Sequence, residues 1–397
     1  MSMRCLWLTA ADPAPETNGQ YIYSGRMIQA TAEAGATIDV LCVARNGSTR
    51  RDGQREGAVR WWLTEGDLGR DPKSFLSTLP NVAYRTCTPP MRERLEWLLE
   101  TKSWDWIVLD GISVGWAMGA IRRRYPAGGS GPRVAYIAHN HEESVRIALA
   151  RNQRNPALRP FYHADAVKVA RLERAVVDAA DMITAITPED RARYLARRPD
   201  KRVVVLSPGY GGPPAPERTI TADLPRRAVL VGSFEWVAKQ MNIEEFLAAA
   251  DPIFAAAGIE LQIVGGGSPG FIRRLQRRTS AVTLVGQVAC IQPYIDKARL
   301  AIVPERTGGG FKLKVLDYVF NHLPIAALVN AVCGVPLRAN DSILLFADHR
   351  SLALGVCEAI DDLNLLNRLH AAAFAACAGQ FDWASRGRQL VGAMAAS

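Results

Sequence analysis

Residues 303–318 read Val-Pro-Glu-Arg-Thr-Gly-Gly-Gly-Phe-Lys-Leu-Lys-Val-Leu-Asp-Tyr, and the fold of the chain follows from this stretch. An apolar strand ends at Val303, and Pro304 stops it. Gly308, Gly309 and Gly310 leave backbone N–H groups open to close approach. The spacing of Leu313, Leu316 and Phe320 then predicts a helix with one apolar face. A strand, a glycine turn and a helix N-terminus together make an anion site favoured by the helix dipole, and this one suits a diphosphate. Glu305 stands just before the glycines. Lys314 and Asp317 lie three apart on another helix face, where a cation can neutralise a phosphate and a carboxylate can accept two ribose hydroxyls. The same residues also make an ordinary glycine turn followed by a surface Lys–Asp pair worth about a few tenths of a kcal/mol.

Strand–turn–helix units of this kind recur along the chain. The opening residues predict a strand over Arg4–Thr9, a helix over Tyr21–Glu33 and a strand over Thr37–Val43, a βαβ unit. Further strands are expected at Val59–Leu63, Val82–Arg85, Trp106–Leu109, Val134–Ala138, Met182–Ile186 and Val203–Leu206. After the Pro/Gly-rich run 207–216 the alternation starts again, with strands at Ala228–Val231, Leu261–Val264, Val282–Val285, Leu300–Val303, Ile325–Leu328 and Ile343–Phe346. Helical segments are expected after Met241, Phe271, Phe311 and Leu352. The expected fold class is α/β: two doubly wound, Rossmann-like domains facing a central cleft, where strand ends and helix N-termini converge. The expected domains are 1–207 and 208–378, with 379–397 a terminal helix returning to the first.

At 397 residues, with 48% hydrophobic and 22% charged residues, the chain is long enough for two cores, and its composition excludes disordered and fibrous classes. The longest nearly apolar run, 323–337, is too short and too interrupted by Pro324, Asn330, Gly334 and Pro336 to cross a bilayer, and the opening apolar stretch is too brief for a signal peptide. A cytoplasmic location is expected. Seven scattered cysteines with no CxxC spacing read as buried thiols, not as a zinc site or disulfide frame. Most of the net charge of +9 comes from residues 120–205, which carry 17 Lys/Arg against 9 Asp/Glu. No nucleic-acid-binding motif accompanies this stretch, so nucleic acid is not an expected partner. An anionic membrane contacted through 122–202 is one expectation, with Arg146, Arg151, Arg154 and Arg159 near Phe161 and Tyr162; solvated helix faces are the other.

Two more segments stand at strand ends. Gly232-Ser233-Phe234, with Trp236 and Lys239, can place Ser233 and Lys239 on phosphates, and Gly286-Gln287-Val288 can read a base edge through its backbone. Residues 265–270 satisfy GxGxxG, but residues 283–290 lack the acidic residue that a dinucleotide site wants, so close packing of helix on strand is the expected role. His139, just past a strand, is a candidate for bonding a donor, steering an acceptor or simply satisfying a loop.

In this order and spacing, Gly232-Ser233-Phe234, Val264-Gly265-Gly266-Gly267, Val285-Gly286-Gln287-Val288, and Pro304 with Gly308, Gly310, Lys314 and Asp317 resemble the nucleotide-sugar domain of GT-B glycosyltransferases, especially retaining family 4 and its close relatives. In the first half, Asn18-Gly19, Ala138-His139-Asn140-His141-Glu142, Glu173, Ala180-Asp181, Thr187, Asp190 and Pro208-Gly209-Tyr210 are similar to the same family, so the resemblance runs from about Leu6 to Trp383. It implies a glycosyltransferase that moves a sugar from a nucleoside diphosphate sugar to a glycan or lipid-linked oligosaccharide, as in cell-surface or exopolysaccharide synthesis, at the inner face of the plasma membrane. Donor-binding residues would be Gly232, Ser233, Lys239, Gly286, Gln287, Val288, Glu305, Gly308, Gly309, Gly310, Lys314 and Asp317. Asn18 and Gly19 would lie on the acceptor side, and His139 or Glu142 would act at the reacting centre. No metal or other cofactor is expected, since this fold neutralises the leaving diphosphate with helix dipoles and basic side chains. Two departures stand out. The family often has a Glu eight residues before the ribose carboxylate, and here that position is Gly309; the ribose carboxylate is itself an Asp. Donor identity and stereochemistry stay open. A same-fold epimerase and a non-catalytic sugar-nucleotide-binding protein are the alternatives. Lys314→Ala is expected to remove nucleotide binding while leaving the unliganded protein nearly as stable.

Overall fold

The computed structural model describes all residues except 1, 70, 127–128, 154, 235–236, 307–309, 330 and 397. The chain divides into two compact units: Met1–Gly209 with Asp382–Ser397, and Tyr210–Phe381.

Unit 1 contains β1 (Arg4–Ala11), α1 (Gly19–Glu33), β2 (Thr37–Val43), β3 (Arg55–Glu56), β4 (Val59–Thr64), α2 (Asn81–Tyr84), α3 (Pro89–Thr101), β5 (Trp106–Asp110), α4 (Ala117–Arg124), β6 (Arg133–Ala138), α5 (Glu142–Arg151), α6 (Arg159–Ala179), β7 (Met182–Ala185), α7 (Pro188–Arg197) and β8 (Arg202–Val205). The strands form one sheet in the order β3-β4-β2-β1-β5-β6-β7-β8. Its central strands are apolar runs buried on both faces, which is why they pair in parallel and need helices above and below. Trp7 stands opposite Val108, and Leu8 opposite Leu41 and Leu109. The order reverses between β1 and β5, so the loops after those two strands diverge and leave a crevice at their carboxyl ends.

Unit 2 contains β9 (Arg227–Val231), α8 (Val237–Ala257), β10 (Glu260–Val264), α9 (Pro269–Gln276), β11 (Val282–Gly286), α10 (Gln292–Asp296), β12 (Leu300–Val303), α11 (Leu313–Phe320), β13 (Ile325–Leu328), β14 (Leu344–Phe346), α12 (His349–Ala359) and α13 (Leu363–Cys377). The sheet order is β11-β10-β9-β12-β13-β14, with its reversal between β9 and β12. The chain then re-enters unit 1 as α14 (Trp383–Ala395), which packs along α1.

Two local expectations are corrected. Residues 82–85 lie at a short helix, α2, instead of forming a strand: Pro80 presets the turn, and β4 already has β2 and β3 on its two edges. The helix expected after Met241 begins earlier, at Val237. At one edge of the otherwise parallel first sheet, β3 pairs antiparallel with β4.

The seat of α14 is tight. A Cβ at Gly387 would meet the Ala30 carbonyl oxygen at 2.0 Å and the Ala30 carbonyl carbon at 2.3 Å. Gly387→Ala is therefore expected to destabilise unit 1 by about 1–3 kcal/mol through overpacking, lowering its thermal midpoint. Arg388→Ala, at an exposed neighbour, should leave the midpoint unchanged; equal midpoints for both variants would refute a close seat.

Candidate active site

In unit 2 the candidate residues stand around the carboxyl ends of β9, β10, β11 and β12, on both sides of the sheet reversal. The loops there are bonded to one another through the backbone. Gly232 N donates to Val264 O at 3.0 Å, Gly265 N to Gly286 O at 2.8 Å, and Phe234 N to Gly266 O at 2.7 Å. Gly265 has φ +146°, and a Cβ there would lie 1.6 Å from the Gly232 carbonyl oxygen, so only glycine fits. Gly232, Ser233, Gly286 and Gln287 are thus collected at one edge, and Gly286 itself adopts φ +86°. Lys239 lies in the first turns of α8.

After β12, the His349 ring nitrogen Nε2 bonds Pro304 O at 3.0 Å, and Arg306 N donates to Asn242 Oδ1 of α8 at 2.9 Å, which fixes the loop entering the glycine turn. Gly310 follows with φ +77°; Gly308 and Gly309 lie outside the described residues. Lys314, in the first turn of α11, forms an ion pair with Glu305. Burial alone would raise the Glu305 pKa, but the Lys314 and Lys312 ammoniums outweigh it and hold the carboxyl below its ordinary value. The other Glu305 oxygen, Oε2, is buried with no hydrogen-bond partner among the described residues. This ion pair changes one expectation. Lys314→Ala would strand a buried carboxylate, so the substitution should itself destabilise the unliganded protein.

Asp317 is half-buried, and its carboxylate receives no hydrogen bond among the described residues. Burial pushes its pKa up to about 6. Tyr318, next to it, turns inward and accepts the Val231 N–H at 2.8 Å, tying α11 to the end of β9.

In unit 1, His139 follows β6 and places Nε2 2.6 Å from Asp110 Oδ1 at the end of β5. Asp110 is fully buried and also accepts the Trp7 indole N–H at 3.1 Å. Burial alone would raise the Asp110 pKa, but the charge and hydrogen bond of His139, with the Trp7 bond, carry it below the ordinary value. The Tyr23 ring meets the His139 ring edge-on at 5.3 Å, and Trp383 of α14 meets Tyr23 in turn at 5.8 Å. Gly111 has φ +89°, and a Cβ there would press on the His139 ring at 3.2 Å.

Glu142 already has donors on both oxygens: Asn140 Nδ2 at 3.0 Å and Arg146 Nε at 3.3 Å. Beneath it, Glu173 of α6 accepts the N–H groups of Glu142 and Glu143 at 3.0 and 2.7 Å, capping α5. Burial raises the Glu173 pKa to about 7. Asn18 is the N-cap of α1, its side chain accepting from Gln20 N and Tyr21 N at 3.0 and 3.1 Å, and Gly19 begins that helix. Asp110 and Tyr23 were not singled out from the sequence. The one signal for Asp110 was an acidic residue closing an otherwise apolar strand, Trp106-Ile107-Val108-Leu109-Asp110.

Among the described residues, no group of three or more His, Cys, Asp and Glu is placed to hold a metal ion, and no helix is long and apolar enough to cross a membrane. The basic excess of 122–202 is partly neutralised in place: Arg122 pairs with Asp181 at 3.3 Å, Arg193 with Asp190 at 2.8 Å and Arg197 with Asp178 at 2.9 Å, and Arg174 pairs with Glu143. Arg154 lies outside the described residues.

Residues 18–209 match the family model of the glycosyl transferase 4-like domain, and residues 225–362 match that of glycosyl transferases group 1. Sucrose-phosphate synthase from Thermosynechococcus elongatus superposes over 100% of both chains with a TM-score of 0.74 at 19% identity. Anabaena HepE in complex with UDP and glucose superposes over 100% of both chains with a TM-score of 0.63 at 12% identity. The E. coli trehalose-6-phosphate structure bound with UDP-2-fluoro glucose covers 98% of both chains with a TM-score of 0.65 at 13% identity. At these identities the likeness is one of fold. No curated protein matches the sequence.

The Asp317 carboxylate makes a signed prediction. Its folded pKa is raised, so the folded state binds the proton more tightly than the unfolded chain, and stability falls as pH rises from about 4 towards 6 and stays lower above that. Asp317→Asn should therefore raise unliganded stability at pH 8 by on the order of 1–2 kcal/mol while changing little at pH 4. Denaturant melts at the two pH values check this, and a loss of stability at pH 8 would contradict a desolvated, unpartnered carboxylate.

Proposed function

From the premise that this chain belongs to the GT-B glycosyltransferases, we propose that it transfers a sugar from a nucleoside diphosphate sugar to a glycan or lipid-linked oligosaccharide acceptor, without a metal cofactor. The observation that carries the donor half is the convergence at the β9/β12 reversal of unit 2. Glycine loops there are bonded into one rim, a lysine stands in the first turn of α11, and a carboxylate that receives no hydrogen bond among the described residues follows one turn on. Lys314 and the α11 N-terminus would face the diphosphate, Asp317 would accept the ribose hydroxyls, and Gly286, Gln287 and Val288 would meet the base. The bound nucleotides of HepE and of the E. coli structure support a uridine diphosphate donor.

An incoming diphosphate would compete with Glu305 for Lys314. The buried carboxylate then keeps the ammonium in place between turnovers. In unit 1, Asp110 fixes the orientation of His139, whose other ring nitrogen is then the group available for hydrogen bonding to a hydroxyl or for taking its proton. Glu142, with donors on both oxygens, supports the loop carrying His139.

A thermal-shift titration tests the donor reading. At a hundredfold excess over Kd, UDP or UDP-glucose should add about 2.7 kcal/mol to stability, and Asp317→Asn should shrink that gain. Absence of a shift with every nucleoside diphosphate and its sugars would overturn it. In a transfer assay using a lipid extract as acceptor source, product should form equally in excess EDTA. Asp110→Asn should lower turnover about 100-fold or more, as expected when a proton-handling histidine loses its orienting carboxylate, while leaving the UDP-induced shift intact.

A further inference from the structure

The α5–α6 hairpin rises well beyond the sheet that it belongs to. Glu173 bonds the first amides of α5, immediately after β6 ends at Ala138, so Glu173 marks the level of the sheet's carboxyl edge. The part of α6 before it, from Arg159 on, therefore stands clear of the edge by about 20 Å at 1.5 Å per residue. A short 3₁₀ turn at Pro72–Leu76 is strapped to this spur: Lys168 Nζ donates to Ser74 O and Phe75 O at 3.2 and 3.1 Å, and Asn81 N donates to Asp165 at 2.7 Å.

At the tip, four large apolar side chains face solvent: Phe75 at 49% exposure, Leu76 at 92%, Leu158 at 42% and Phe161 at 48%. The two phenylalanine rings contact each other with centroids 5.0 Å apart. Around them stand Lys73, Arg151, Arg159 and Lys168, and none of these four has a carboxylate partner among the described residues; Arg159 and Lys168 bond only carbonyl oxygens. This contrasts with the paired arginines elsewhere in the same stretch. The combination selects one kind of partner. An apolar wedge collared by unneutralised cations matches the acyl boundary and phosphate layer of an anionic bilayer.

We propose that this spur tip inserts Phe75, Leu76, Leu158 and Phe161 into the interfacial layer of an anionic phospholipid membrane, with Lys73, Arg151, Arg159 and Lys168 on the lipid phosphates. The proposal rests on, and sharpens, the lipid-linked acceptor in the functional reading: it assigns docking to one tip instead of to the whole basic stretch.

Sedimentation with vesicles of phosphatidylcholine, with and without phosphatidylglycerol, tests it on the full chain. Wild type should bind the anionic vesicles and not the neutral ones, with binding weakened by high salt. Leu76→Ser/Phe161→Ser, at exposed positions, should keep the wild-type melting temperature and lose at least about tenfold in partition coefficient. Lys73→Ala/Arg151→Ala should bind less tightly and with a shallower salt dependence. No binding by wild type at low salt, or wild-type binding by the serine variant, overturns the proposal. If that variant binds vesicles normally but loses transfer to a water-soluble acceptor, the tip is an acceptor contact and the membrane assignment fails. The UDP-induced thermal shift reports on the donor reading separately: vesicle binding without a shift would sink only the donor, and a shift without vesicle binding only the docking surface.

Discussion

The contact of Gly265 with Gly232 is the constraint on which the second unit's site depends. With no side chain between them, the turn after β10 lies directly on the turn after β9, and the next bond, Gly265 to Gly286, brings in the turn after β11. Three loops that separate strand ends would otherwise splay apart are held as one rim. Such a rim holds the three strand-end turns in fixed positions and leaves them little freedom to reorganise. On the far side of the sheet reversal, the buried Glu305–Lys314 pair does the complementary work of holding a cation in register with the first turn of α11.

Unit 1 solves a different problem: how to keep a fully buried carboxylate at the end of a central strand. Asp110 is tolerated because Trp7 from the neighbouring strand and His139 from the strand on the other side both bond it. The charge that makes the site expensive to desolvate also orients the imidazole. Tyr23 of α1 closes one side of that ring, and its hydroxyl donates to Leu206 O at 2.9 Å, so the helix facing the crevice is tied to the segment that leaves the last strand.

Much of this architecture was legible in the sequence because parallel strands buried on both faces announce themselves as uninterrupted apolar runs. Thr37–Val43 and Ile325–Leu328 are found where the pattern puts them. Residues 82–85 misled because a four-residue run of Val, Ala, Tyr and Arg fits either a strand or a single helical turn, and only the occupied edges of β4 decide between them. The segments expected on the donor side were visible as glycines and cations at strand ends. Their pairings were not: nothing local says that Lys314 reaches back to Glu305, or that Asn18 spends its side chain on a helix cap. Asp110 stayed hidden since its role depends on His139, twenty-nine positions later in the chain, and sequence order carries no sign of adjacency between strands β5 and β6.

The path of the chain has one more effect. Because the final helix lies along α1, the whole of the second unit is spliced into the first, between Gly209 and Asp382. On a ribosome the early residues would emerge with the groove beside α1 still vacant, including the seat that Trp383 takes beside Tyr23. That groove closes only after some 170 intervening residues have been made and have had time to fold. Maturation of the His139 neighbourhood is therefore a late event, gated by synthesis of a domain with a core of its own.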